Sequence, residues 1–188
     1  MNPLNSQSLL FGKMDNNECY TPAYAVHPLL EVVPQHWTVW CPCDTAESAF
    51  VQLLAAHGCK VIHSHISAGQ DFLAYRPAER FDAIITNPPF AGKRAFVERA
   101  LEFDVPFAFL LPATWLNDSA PMQVFGDALE LILLDTRVEY NQADPQKKNG
   151  KVTFMSHYFC YKFGLNGNRV ASIREAKKAA RNKQRTLF

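Results

Sequence analysis

The chain has 188 residues, enough for one domain. With 48% apolar and 20% charged residues, its composition is that of a globular protein and excludes a disordered one. Nineteen basic and eighteen acidic side chains give a net charge of +1, which excludes a uniformly polycationic or polyanionic chain.

The charge is nevertheless uneven. Residues 169–188 hold Arg169, Arg174, Lys177, Lys178, Arg181, Lys183 and Arg185 against Glu175, a net +6, and the remainder carries −5. No run approaches the ~18 apolar residues of a membrane span. The start, Met1-Asn2-Pro3-Leu4-Asn5, lacks the basic and then apolar pattern of a secretory signal. Five cysteines fit no paired disulfide framework, and Cys41-Pro42-Cys43 is too short for a C-x-x-C pair. Reduced, buried thiols in a cytoplasmic protein are the expectation.

Residues 1–19 read as polar loop. Thr21-Pro22 predicts a helix start, with Thr21 as N-cap and Pro22 at the first helical position. Ala25, Val26, Leu29, Leu30 and Val33 follow near helical spacing, up to Pro34. A buried strand is predicted at Trp37–Cys41, then a helix from Ala46 to His57 closed by Gly58. Further strands are predicted at Lys60–Ile66 and Phe81–Thr86, a helix at Lys93–Phe103, and an apolar strand at Val105–Leu111. Pro121–Leu129 reads as a helix, and Leu131–Leu134 and Val138–Tyr140 as strands. Lys147-Lys148-Asn149-Gly150 is a turn signal, and Val152–Phe163 reads as one long strand. Strands alternating with helices imply an α/β fold with a mostly parallel sheet, to which the C-terminal end adds an antiparallel strand. Residues 1–164 form a single domain in this reading, followed by a basic tail, 165–188. Ligands of such sheets sit at the carboxyl ends of the strands. The loops of interest are those after Cys41, Ile66, Thr86 and Leu111.

One of these loops is chemically unusual. Asn87-Pro88-Pro89-Phe90 directly follows a strand. Two prolines fix two φ angles, remove two backbone donors and push Asn87 out of helical geometry. The stiff turn presents the Asn87 amide and open backbone carbonyls next to an aromatic ring. The Asn87 side-chain oxygen and the Pro88 carbonyl suit the two hydrogens of an exocyclic amine, and Phe90 suits the face of its ring.

The tetrad, in the setting F-D-x-I-I-T-N-P-P-F, resembles motif IV of the S-adenosylmethionine-dependent amino-methyltransferases. The whole arrangement is most similar to a small phage- or prophage-type adenine-N6 methyltransferase family, with the likeness concentrated between Val39 and Pro112. The resemblance implies a Rossmann-like class I methyltransferase fold. It implies catalytic roles for Asn87, Pro88, Pro89 and Phe90, with S-adenosylmethionine as cofactor. Tyr20-Thr21-Pro22 resembles the segment that packs on the methionine end of the cofactor. Gly69-Gln70-Asp71-Phe72 resembles the motif in which the acid accepts from the cofactor's adenine amine and the aromatic ring lies along that base. Asp71 has a second reading as a turn cap. Leu111-Pro112-Ala113-Thr114-Trp115 walls a target-base pocket or is a loop capped by a buried Trp115.

The first cofactor loop departs from the usual D-P-F-x-G-x-G pattern. Here it reads Cys41-Pro42-Cys43-Asp44-Thr45-Ala46-Glu47, with Thr45 and Glu47 at the glycine positions. The phage-type enzymes that the chain resembles share a glycine-free loop, so the departure does not by itself imply a dead site. Cys41, Pro42 and Asp44 are cofactor-binding candidates. Asp44 either meets the cofactor's ammonium or, with Thr45, caps the following helix. The second strand ends in His63-Ser64-His65 and lacks the acid that usually holds the ribose hydroxyls; His65 or Ser64 would replace it. His63 and His65 lack the further ligands a metal needs.

The acceptor implied is adenine N6 in nucleic acid, DNA before RNA, flipped out or single-stranded. The alternatives are an RNA adenine, a protein glutamine, or a non-catalytic methyltransferase-like binding module. Phe90 favours a nucleobase, because glutamine enzymes of this class usually carry Tyr there. The basic tail reads either as a helix against phosphates or as a frayed, solvated end. Asn117–Lys151 is the sole candidate for target recognition, with Gln146-Lys147-Lys148-Asn149 placed to touch phosphates.

Overall fold

The computed structural model of the protein describes residues 19–142 and 151–185. A short strand, β1 (Cys19–Tyr20), leads into helix α1 (Ala23–Leu30). Alternating elements follow: β2 (Thr38–Pro42), α2 (Ala49–His57), β3 (Lys60–Ser64), β4 (Ala83–Thr86), α3 (Lys93–Glu102) and β5 (Phe107–Pro112). Next come α4 (Ala120–Phe125), β6 (Glu130–Leu134), the antiparallel pair β7 (Val138–Gln142) and β8 (Lys151–Phe154), and β9 (Ser156–Tyr161). Strand β10 (Arg169–Ala171) and helix α5 (Arg174–Arg185) close the described chain.

The main sheet has the order β10-β6-β9-β5-β4-β2-β3. Strand β9 runs antiparallel to both its neighbours, and every other pairing in the sheet is parallel. This is the mixed, mostly parallel Rossmann-like sheet that the sequence implies. A small second sheet, β1-β7-β8, stands beside it. The chain runs outward from β2 to β3 and then returns to the other side of β2 as β4. Such a reversal opens a crevice at the carboxyl ends of β2 and β4.

Strand residues alternate between two cores, as a period of two requires. Val39, Cys41, Ile85, Ala108 and Leu110 face α1 and α2, where they meet Ala25, Leu29, Phe50 and Leu54. Trp40, Ile84, Phe107, Phe109 and Leu111 face α3 and the segment after β5, where they meet Phe96, Val97, Trp115 and Phe125. The second core is largely aromatic. Trp40 stands 5.1 Å from both Phe72 and Phe81 and 5.5 Å from Phe103, and its indole donates to Ser64 Oγ at 2.9 Å. That bond satisfies the polar atom a buried indole carries inside.

Several boundaries move from the sequence reading. Helix α1 begins at Ala23 behind an extended Pro22, and no side chain caps it, so Thr21 is not its N-cap. Helix α2 begins at Ala49 rather than Ala46; Ser48, not Asp44 or Thr45, caps it by accepting from the Phe50 N–H. Strand β3 stops at Ser64, and Ile66–Ala68 forms a single 3-10 turn. The predicted long strand Val152–Phe163 is divided at Met155. Its first part pairs with β7 and its second with β5 and β6. The predicted basic tail contains β10, which pairs with β6, and a docked helix with Ile173 fully in the core. Residues 1–18 and the Gln146–Asn149 candidate lie outside the described residues.

Candidate active site

Three loops at the carboxyl ends of β2, β3 and β4 enclose a cavity of about 490 Å³, with Tyr20, Thr21 and Pro22 closing one side. That volume lies within the range of ligand-binding clefts. Asp44, Asp71, Phe72, Asn87, Pro88, Pro89 and Phe90 all line it. Residues far apart in the sequence therefore meet in one cavity. Cys41 and Pro42 do not line the cavity. Cys41 is fully buried against α1 and α2, because an in-line strand residue must face one core or the other. Pro42 contributes its carbonyl, which accepts from the Thr86 hydroxyl.

Asp44 is 7% exposed. The chain reaches it through Cys43, whose φ of 69° lies in the left-handed region that side chains disfavour. Its backbone N–H donates to Ser64 O at 3.1 Å, tying the first loop to β3. One carboxylate oxygen accepts from the Ser48 hydroxyl, and the other lies 2.6 Å from the Thr86 hydroxyl, whose single proton it shares with the Pro42 carbonyl. Asp44 thus braces the end of β2, the start of α2 and the end of β4 together. Thr86 immediately precedes Asn87, so the brace also anchors the N-P-P-F loop. Burial pushes the Asp44 carboxyl up to about 6, and the two hydroxyl hydrogen bonds oppose that rise. Sequence reasoning missed Thr86; its signal was a polar side chain ending an otherwise apolar strand.

Asp71 accepts from the Leu73 N–H at 3.0 Å, so it does cap its own turn while also lining the cavity. The neighbouring Phe72 is 2% exposed and stacks on Phe96 at 5.3 Å. His65 lines the cavity and is oriented by Ser67, 2.7 Å from its Nδ1. His63 does not line it. Glu47 stands at the opening, where a Thr45 hydrogen bond holds its carboxyl below the ordinary range. Burial and the Asp44 charge push the Cys43 thiol well up, so it stays protonated.

Among the described residues, the lining carries three carboxylates, Asp44, Glu47 and Asp71, and no lysine or arginine. Such a wall suits a cationic ligand. A sulfonium with an ammonium group and a donor-rich adenine fits this donor set. Among the described residues no group of three or more His, Cys, Asp or Glu is placed to hold a metal. No helix among them is long and apolar enough to cross a membrane.

Phe90 lies 5.1 Å from Phe154 and 6.1 Å from Tyr140, edge-on to both, and those two rings stack on each other at 4.8 Å. The Phe90 carbonyl accepts from Lys93 Nζ at 3.4 Å. Asn87 is half-buried, and its side-chain oxygen is among the buried atoms. Trp115, the candidate wall of a target pocket, does not line the cavity. It packs on Phe159 at 5.2 Å in the aromatic core and caps its loop, because so large a ring gains more from burial there.

No family model and no curated protein matches the chain. Among solved structures it is similar to a proposed RNA methyltransferase from Pyrococcus horikoshii. The identity is 13% and the TM-score 0.50, over 73% of this chain and 79% of that one. Weaker likenesses reach the modification subunit of a proposed type I restriction enzyme from Vibrio vulnificus (15% identity, TM-score 0.39) and a proposed methyltransferase from Thermoplasma acidophilum (11%, 0.32). They cover 89% and 71% of this chain, and 49% and 59% of the neighbours. The first likeness, together with the sheet order, gives the chain the Rossmann-like fold of methyltransferases.

Proposed function

We propose that this chain transfers a methyl group from S-adenosylmethionine to the exocyclic N6 amine of adenine in nucleic acid, DNA before RNA. The observation that carries the reading is the meeting of the N-P-P-F loop with an acid-lined cavity of cofactor size. When bound, the cofactor supplies an electrophilic methyl group. Asp71 and Asp44 belong to the wall that would hold it, Asp71 towards its adenine and Asp44 towards its cationic end. Asn87 Oδ1 and the Pro88 carbonyl would accept the two amine hydrogens of the acceptor and aim its lone pair. The acceptor nitrogen would take that methyl group with its lone pair and release its spare amine proton to water. Positioning and electrostatics supply the rate, so no strong base is required.

Nucleic acid as partner fits the outward face of α5, where Arg174, Lys178 and Lys183 are exposed. The direct experiment incubates the protein with labelled cofactor and single-stranded DNA, duplex DNA, RNA or a glutamine peptide, and identifies the methylated product by mass spectrometry. N6-methyladenine in DNA supports the reading. Label in the peptide alone would move the acceptor to glutamine.

A second reading has one specific observation in its favour. Both Asp44 oxygens are already engaged by hydroxyls, so its role is a brace before it is a ligand contact. A non-catalytic binding module with the same fold would show cofactor or nucleic-acid binding without transfer to any of the four acceptors.

A further inference from the structure

Helix α5 reaches the acceptor side of the cavity through one acid. Glu139 lies in the middle of β7, and its side chain is 11% exposed. Arg181 Nε donates to its Oε2 at 3.0 Å, and Arg181 Nη2 pairs with its Oε1. Lys177 Nζ stands 3.5 Å from the same Oε1 and donates to the Arg137 carbonyl at 2.5 Å. Lys177 and Arg181 are one turn apart and share a face with Ile173, which is buried in the core. The Glu139 N–H donates to the Tyr24 hydroxyl at 2.8 Å, so α1 is tied to the same point.

The next residue of β7 faces the other way, as strand geometry demands. Tyr140 is fully buried, stacks on Phe154 of β8, and both rings meet Phe90 edge-on. The Tyr140 hydroxyl donates to Ser156 Oγ at 2.7 Å. Strand β7 also carries β1, with Tyr20 paired to Asn141. One strand therefore links α5 to Phe90 and to the Tyr20 side of the cavity. The cofactor-side acids have separate partners: Ser48 and Thr86 for Asp44, and the Leu73 N–H for Asp71.

We propose that Glu139, Lys177 and Arg181 form a positioning clamp for the methyl acceptor. Helix α5 fixes the β7–β8 pair, and through Tyr140 and Phe154 it fixes the orientation of Phe90 in the N-P-P-F loop. The clamp leaves the Asp44 and Asp71 loops of the cofactor side independent, whereas Tyr20, on the strand paired with β7, is tied to it. This inference rests on the reading of Phe90 as an acceptor-side residue. Taking a lysine and a glutamate out of water offsets much of their attraction, so such a cluster contributes geometry more than stability. Burial accordingly draws the Lys177 ammonium below its ordinary range.

The test compares Glu139→Gln, Lys177→Met and Lys177→Arg in the full chain. Three quantities are measured: amide hydrogen exchange by segment, calorimetric affinity for S-adenosylhomocysteine, and kcat and KM for DNA. In Glu139→Gln and Lys177→Met, exchange in 138–142 and 151–154 is expected to rise about tenfold, with β2, β4 and β5 unchanged. The kcat/KM for DNA falls by a similar factor, S-adenosylhomocysteine affinity falls by clearly less through the β1 link to Tyr20, and Lys177→Arg stays near wild type. Unchanged exchange in the hairpin overturns the clamp. So does a rise spread equally over β2, β4 and β5, a matching loss of S-adenosylhomocysteine affinity, or a loosened hairpin with unaltered DNA kinetics. If the wild-type protein transfers no methyl group, the functional reading falls by itself, and exchange and ligand affinity still decide the clamp.

Discussion

The two ends of the cavity are built by different means. The end proposed for the cofactor rests on β2, β3 and β4, in the parallel part of the sheet. Its loops are joined by hydrogen bonds that converge on one buried carboxylate, Asp44. The end proposed for the methyl acceptor rests on a strand pair outside the main sheet. Aromatic edges hold that pair on one side, and a cluster of charges from the C-terminal helix holds it on the other. On the proposed function, a cofactor seat braced at Asp44 and an acceptor wall tethered by α5 would respond differently to substitution. The glycine-free loop makes its turn through the left-handed Cys43 and is held by the Asp44 brace.

Substitutions should separate the two ends. The largest expected effect is at Asn87, where Asn87→Ala lowers transfer by about a hundredfold or more with cofactor affinity unchanged, as loss of a positioned polar group at a reacting centre does. Equal loss of both would merge the two ends. Asp44→Ala removes the acceptor of the half-buried Ser48 hydroxyl and leaves Thr86 only the Pro42 carbonyl, and urea unfolding should show a loss of about 1 kcal/mol. A smaller loss would mean that the brace is not structural.

A milder effect follows from protonation. Burial holds the Asp44 carboxyl at about 6 in the folded chain, above its ordinary value. Between those two values the folded state keeps a proton that the unfolded chain has released. Stability from Asp44 therefore falls as pH rises through that window, while affinity for a cationic ligand rises. Urea midpoints and calorimetric titrations at pH 5 and pH 7.5 should move in opposite directions. The smallest effect belongs to the outer face of α5. Lys178→Ala and Lys183→Ala should each reduce the salt dependence of DNA binding by about one unit of slope, leaving folding intact. Deleting the whole tail would not isolate this effect, because it removes β10 and the buried Ile173.

What the sequence revealed and what it concealed follow the range of the interactions. The strand before Asn87 is a local property and is found where the pattern placed it, with Pro88 and Pro89 lining the cavity just beyond it. The division at Met155 was not legible. Val152–Phe163 is uniformly strand-like, and only the choice of pairing partner, β7 or β5 and β6, sets the break. Lys177 read as one more tail cation because its partner, Glu139, lies 38 residues earlier in the chain. Asp44 was legible as an important acid but not as a brace, since Thr86 reaches it from another strand. Thr21 lost its cap because the helix begins one residue later, after an extended Pro22.

The central claim is that the acid-lined cavity holds S-adenosylmethionine, and calorimetric titration of the folded protein tests it most directly. The expected result is saturable binding at about one site per chain, weakened about tenfold in Asp71→Ala by loss of a hydrogen bond to the ligand. Absence of binding to a protein whose fold is verified by circular dichroism would contradict the account.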